Sequence, residues 1–278
     1  MRTNLPVTQR EFTIPDGVTL MSTTDVHSHV AYANAAFVHV SGFSRDEIIG
    51  QPHNLVRHPD MPPQAFEDMW ETLKAGESWT ALVKNRRKNG DHYWVRANAT
   101  PIKRNGLVTG YMSARTKPLP AEVQQAELTY KAFRENTAGS RRFCKGIVVR
   151  TGVLAWASAL QLMPVRWRIR CGLAATTTVA VASTSALGLG GTELAGFAAV
   201  AATTGAVASA WLEAQIALPL ATILKQALAV AAGQAAENVS LNRVDEIGLI
   251  LRAVNQSGLN LRSLVDDVSE QVSGLQTA

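Results

Sequence analysis

The sequence predicts an α+β domain, a five-stranded antiparallel sheet with flanking helices, then a transmembrane helical hairpin and an α-helical coiled coil. Three observations carry that expectation. Before residue 119, short β-rich runs alternate with Asn-Gly turn signals and one well-bounded helix. Between Arg170 and Glu213 the only charged residue is Glu193. Beyond residue 215, apolar residues recur in alternating steps of three and four, the spacing of a coiled coil.

In chain order, VTLMSTT (18–24) and HVAYA (29–33) read as strands. Short helices are expected at 34–41 and 44–49, where Ser44 and Glu47 form a capping box. PQAFEDMWETLKA (63–75) is the clearest helix, with Pro63 at its start and Gly76 just past its end. Strands follow at 79–87 and 92–102, and Asn89–Gly90 between them is a two-residue hairpin signal. A second turn at Asn105–Gly106 leads into a strand at 107–116. Two strands, a run of short helices and a three-stranded meander make the five-stranded domain.

Residues 171–191 and 194–212 each have about the 20 residues a spanning helix needs, and only Thr192 and Glu193 separate them. Arg166, Arg168 and Arg170 precede the first span and Lys225 follows the second, so both ends are expected in the cytoplasm. Abundant Gly, Ala, Ser and Thr favour close helix–helix contact. The net charge is +5, yet basic residues concentrate just before the uncharged stretch, which points to a lipid surface and not to nucleic acid. The only cysteines, Cys144 and Cys171, exclude a disulfide scaffold and a cysteine-rich zinc site. The N-terminus has no apolar signal-peptide region. After the hairpin, Leu220, Ile223, Ala227 and Val230 form one seam. Ile247, Leu251, Val254, Gly258, Leu261, Val265, Val268, Val272 and Leu275 form another, which favours a parallel homodimer.

HNLVRHPDMP (53–62) packs two histidines, an arginine, an aspartate and two prolines into ten positions. His53 and His58 are five apart with no convincing third ligand, which argues against a metal site. Arg57 and Asp60 fit either a cofactor pocket or a local ion pair. No phosphate-binding Gly-rich loop, nucleophile elbow or triad pattern is present.

LMSTTDVHSHVAYANAAFVHVSGF, IIGQPHNLVRHPDMPPQAFEDMWETLKAGESW and KNRRKNGDHYWVRANATPI resemble a PAS sensory domain. The RHPDMP loop and the NRRKNGDHYWV hairpin resemble, more narrowly, the flavin-binding PAS domain of the bacterial aerotaxis receptor family. ALPLATILKQALAVAAG and DEIG (245–248) resemble the two helix starts of a HAMP domain. The resemblance implies an N-terminal cap over 1–18, a PAS domain over 19–118, a basic linker over 119–168, a membrane hairpin over 169–214 and HAMP over 215–268. Residues 269–278 would start a signalling coiled coil, with the kinase-control region absent. It further implies a non-enzymatic redox and oxygen sensor in the bacterial inner membrane, signalling to a chemotaxis histidine kinase and its adaptor. The cofactor it implies is noncovalent FAD, held by Asn34, Arg57, His58, Asp60, Phe66, Trp79, Asn85 and Tyr111. A haem-PAS oxygen sensor, a membrane-attached flavin or haem enzyme and a cofactor-free dimerisation module are the alternatives. Light sensing through a flavin–cysteine adduct finds no cysteine within the sheet.

Overall fold

In the computed structural model the described residues are 4–104, 107–188, 190–233, 241, 245–259 and 261. They fall into two compact units, Met1–Ala155 and Trp156–Ala278.

The first unit is built on β1 (Leu20–Thr24), β2 (Val30–Ala33), β3 (Trp79–Arg86), β4 (His92–Arg104) and β5 (Leu107–Thr116). Their order across the sheet is β2-β1-β5-β4-β3, with every neighbouring pair antiparallel. Helices α1 (Ala35–Ser41), α2 (Arg45–Ile48) and α3 (Pro63–Lys74), with a 3-10 turn at His53–Val56, cross one face. Leu20, Phe37, Val40, Ile48, Met61, Leu73, Tyr93 and Val95 are almost fully buried in the core beneath them. The expected capping box is present: Ser44 Oγ accepts from Glu47 N, and Glu47 Oε2 accepts from Ser44 N at 2.9 Å.

The turn between β3 and β4 has three residues where two were expected. Arg87 N donates to Asp91 O at 2.7 Å, so Lys88, Asn89 and Gly90 form the loop, and Gly90 takes the positive φ of +97°. The Asn105–Gly106 turn lies outside the described residues. The N-terminal segment runs along the start of β4, Phe12 N donating to His92 O and His92 N to Arg10 O.

Residues 119–168 were expected as a linker, but much of this stretch is folded. Helix α4 (Pro120–Arg134) and the hairpin β6 (Arg141–Cys144) and β7 (Ile147–Arg150) bury Tyr130, Phe133, Phe143 and Val149. Phe133 and Phe143 pack with ring centroids 4.5 Å apart. These aromatics supply the apolar burial that a mobile linker would lack.

The second unit is helical. After a short α5 (Ala159–Leu162), α6 (Val165–Ala186) and α7 (Gly191–Leu212) pack together, with Gly205 so close to α6 that an added Cβ would lie 2.9 Å from Thr177 Oγ1. Arg170 Nη2 donates to Glu213 Oε2 at 2.7 Å. A π-helical turn at Glu213–Ala217 carries α7 into α8 (Leu218–Ala231). Among the described residues one helix, Gly191–Ala231, is long and apolar enough to cross a membrane. On α8, Ile223 and Val230 of the expected seam are buried. In the helix beginning at 246, Leu251 is buried, whereas Leu249, Ile250 and Leu261 are exposed. Gln226 Nε2 donates to Asn255 Oδ1 at 3.1 Å. Val265, Val268, Val272, Leu275 and the 269–278 segment lie outside the described residues.

Candidate functional site

Side-chain alternation along three strands opens a cavity above the sheet. Trp79, Val83 and Asn85 of β3 share one face, and with Ala97 and Ala99 of β4 and Ser113 and Arg115 of β5 they line the space. Trp79 pairs with Ala99, and Ala99 with Ser113, so small residues sit across from a large one and leave room. The opposite wall comes from the 3-10 turn and α3, including His53, Arg57, Phe66 and Trp70. The cavity volume is about 110 Å³. Arg57, Phe66 and Trp70 also line a wider outer groove of about 550 Å³, together with Glu67, Glu71 and Lys74.

Arg57 follows the 3-10 turn, where its backbone bridges to Asn85 at the edge of β3. Asn4 Nδ2 pins this loop through Asn54 O at 2.8 Å and Arg57 O at 3.0 Å. The Arg57 guanidinium lies 3.6 Å from the centroid of Phe66, a cation–π contact. Its Nε and Nη2 are buried without a hydrogen-bond partner. Burial lowers its pKa to about 10, against the opposing pull of Glu67. A buried donor with no acceptor is costly, so these two nitrogens call for an acceptor group.

A second guanidinium borders the same cavity. Arg115 is 2% exposed; Ser22 Oγ accepts from its Nη1 and Nη2, both at 3.1 Å. Its Nη2 stands 2.6 Å from His53 Nε2. A guanidinium only donates, so His53 Nε2 accepts and the imidazole is neutral. Burial first, then Arg115, lowers the His53 pKa to about 3. Among the described residues no aspartate or glutamate lines the inner cavity, and Arg57 and Arg115 are the cationic side chains on its wall.

Four of the eight expected residues, Arg57, Phe66, Trp79 and Asn85, line this cavity together. The other four lie elsewhere. Asn34 caps α1: its Oδ1 accepts from Phe37 N at 2.9 Å and Met21 N at 3.0 Å, and its Nδ2 donates to Thr19 O. His58 is buried behind the loop, its Nδ1 accepting from Asp60 N at 3.1 Å. Burial lowers the His58 pKa to about 4 although Asp60 opposes the shift. Asp60 pairs with the buried Lys84 at 2.8 Å. Burial works against its charge, but Lys84 outweighs that and keeps its pKa below the ordinary carboxylate value. Tyr111 packs edge-on against Trp70 with centroids 5.2 Å apart. Sequence reasoning missed Arg115 as a lining residue and weighed His53 as a haem or metal ligand against a structural, hydrogen-bonding role. The signal for Arg115 was its phase: it shares a strand face with Ser113.

These residues fit part of a flavin. Aromatic walls, the amides of Asn54 and Asn85 and two guanidinium groups suit a planar, acceptor-rich ring. The inner volume is below the roughly 300–1,000 Å³ of a complete ligand pocket, so the rest of a dinucleotide would fall to the outer groove. Among the described residues no group of three His, Cys, Asp or Glu could hold a metal ion.

The family model described as PAS fold matches residues 30–114. The chain is 47% identical over 270 residues to the aerotaxis receptor of Escherichia coli, an alignment covering 97% of this chain and 52% of that protein. The nitrogen fixation regulatory protein of Klebsiella oxytoca is 30% identical over 82 residues, covering 30% of this chain and 17% of that one. A blue-light-activated histidine kinase of Brucella anthropi is 30% identical over 87 residues, covering 31% and 18%. The chain thus spans about half the length of the aerotaxis receptor it matches.

Proposed function

We propose that this PAS-domain chain, an aerotaxis receptor homologue along nearly its whole length, is a membrane-anchored redox sensor that holds FAD noncovalently. The observation that carries the reading is Arg57, whose buried Nε and Nη2 lack acceptors where the inner cavity meets the outer groove. A bound flavin would supply a two-electron redox centre whose hydrogen bonding changes with its oxidation state. Arg57 would hold the diphosphate or the ring edge, and Phe66 and Trp79 would bound the ring. Asn85 would offer an amide able to donate or accept. The flavin reading is favoured over haem because His53 Nε2 is engaged by Arg115 and His58 does not line the cavity.

The remaining parts follow the same reading. Helices α6 and α7 would form a hairpin across the bacterial inner membrane with both termini in the cytoplasm, and α8 with the helix after residue 245 would form a HAMP domain. The chain would act as a homodimer, shifting the balance between two helix packings of similar energy. Its output would reach a chemotaxis histidine kinase and adaptor. No step requires turnover, so the protein would work as a sensor and not as an enzyme.

The absorption spectrum of the purified full chain tests the cofactor directly. The two-band flavin spectrum, with FAD released on denaturation, is expected. A Soret band or a colourless, folded protein overturns the reading. For the switch, Asn85→Asp or Asn85→Ser should alter the aerotactic response of cells that carry this protein; an unchanged response removes Asn85 from that role.

A further inference from the structure

Asp68 joins the cavity wall to the hairpin that precedes the helical unit. It lies on α3 and is 8% exposed, and three N–H groups converge on its carboxylate. Lys145 N donates to Oδ1, Gly146 N to Oδ2 and Trp79 Nε1 to Oδ2, each at 2.7 Å. Lys145 and Gly146 form the two-residue turn of the β6–β7 hairpin, with φ of +53° and +88°, the type I′ pattern. The turn seats closely: a Cβ on Gly146 would lie 2.0 Å from Thr80 O, the residue after Trp79. Lys145 also pairs with Glu77. Phe143, two residues before the turn, packs among Tyr130 and Phe133.

Trp79 is 1% exposed and lines the inner cavity. Its indole N–H and the two turn amides share one carboxylate, so a displacement at either side changes the hydrogen bonds available to the other. Charge-assisted bonds of this kind are among the stronger local restraints in a protein. The chain continues from β7 through a 3-10 helix at Gly152–Ser158 towards α6, so the hairpin is the last strand pair on that route.

We infer that Asp68 is a positioning residue that couples Trp79 in the cavity wall to the seating of the β6–β7 hairpin. The coupling works through residues of this chain and does not depend on which ligand fills the cavity. By linkage it is reciprocal: moving the hairpin must disturb Trp79, and altering Trp79 must loosen the hairpin.

The test uses the full chain uniformly labelled with ¹⁵N, in which the indole N–H signals of its six tryptophans and the backbone amides are read by NMR. Trp79→Phe identifies the Trp79 signal by its loss. Gly146→Ala, which forces the turn off Thr80 O, should shift the Trp79 signal and speed its exchange with solvent while the other five stay in place. Asp68→Asn should do the same and raise amide exchange at Lys145 and Gly146 by about tenfold or more. A Trp79 signal unmoved in Gly146→Ala overturns the inference, because the hairpin then rests on Asp68 without reaching the cavity. Should Gly146→Ala lose the fold, seen as movement of all the signals, amide exchange at Lys145 and Gly146 in Trp79→Phe decides. Faster exchange supports the coupling and unchanged exchange ends it. A colourless protein would end the flavin reading and leave both readouts intact.

Discussion

Lys84 Nζ donates to Asp60 Oδ2 at 2.8 Å while its own side chain is only 4% exposed, so the loop after the 3-10 turn is tied to the middle of β3 by a buried charge. Glu127 Oε1 on α4 stands 3.4 Å from the same ammonium, and Arg134 donates to Asp60 O. The loop that carries Arg57 is thereby linked to β3 and to α4 at once.

That arrangement predicts unequal costs for its two partners. Asp60→Asn leaves a buried ammonium with one distant carboxylate, and is expected to destabilise the domain by about 3 kcal/mol, the lower end for a broken buried pair, since Asp60 itself is 37% exposed. Lys84→Met removes the buried ammonium, which lies 5.9 Å from the Trp94 ring centroid, and keeps an aliphatic side chain of similar length, so it should cost under about 1 kcal/mol or stabilise. Urea denaturation of both variants checks the order; equal losses would show that the pair does not hold the loop.

Arg57→Ala should separate binding from folding. Its Nε and Nη2 make no hydrogen bond, so the fold loses chiefly the Phe66 contact, about 0.5–2 kcal/mol. Flavin content per protein, measured from the absorbance ratio, should fall by at least tenfold while the thermal transition stays cooperative. Arg57→Lys should not restore it, because a point charge cannot replace two directed N–H groups. Full flavin content in Arg57→Ala would place the cofactor contact elsewhere.

The elements legible in the sequence were those fixed by local chemistry. Pro63 and Gly76 bounded α3, Ser44 and Glu47 announced their capping box, and alternation located the five strands. Helix α4 and the β6–β7 hairpin went unread within a stretch taken as a basic linker, although Val123, Ala126, Tyr130 and Phe133 carry a three-and-four spacing. Their turn is Lys145–Gly146, without the Asn or Asp that usually advertises a type I′ hairpin. Within the site, Arg57, Phe66, Trp79 and Asn85 could be placed by motif. Arg115 could not, since its burial against His53 and Ser22 depends on strand register across 62 and 93 residues of sequence. Asn34 shows the converse: its cap was legible, and that cap is where its amide is spent.

Histidines whose pKa is lowered in the fold give the domain an acid-sensitive edge. His53 and His58 have pKa values lowered to about 3 and about 4, while an unfolded histidine titrates near 6.5. Below about pH 6.5 the unfolded chain takes up protons that the folded one refuses, so stability falls as pH drops and levels off near the folded values. At pH 5 His53 alone should account for roughly 2 kcal/mol of lost stability. Thermal unfolding at pH 7 and pH 5 should show the loss, and His53→Gln, which keeps an acceptor for Arg115 but cannot titrate, should make it shallower. An identical pH slope in that variant would mean His53 is not held neutral in the fold.

Asn34→Ala is expected to weaken the fold without touching the cavity. The side chain accepts from Phe37 N and Met21 N and donates to Thr19 O, so it joins the first turn of α1 to β1 and the segment before it. Losing an N-cap costs about 0.5–2 kcal/mol, and the additional bonds place this position at the upper end. Asn34→Asp keeps the acceptor and loses the donor, so it should recover most of the cap. If Asn34→Ala instead lowered flavin content at unchanged stability, Asn34 would be a cofactor contact as the family resemblance implies, and its capping bonds would be secondary.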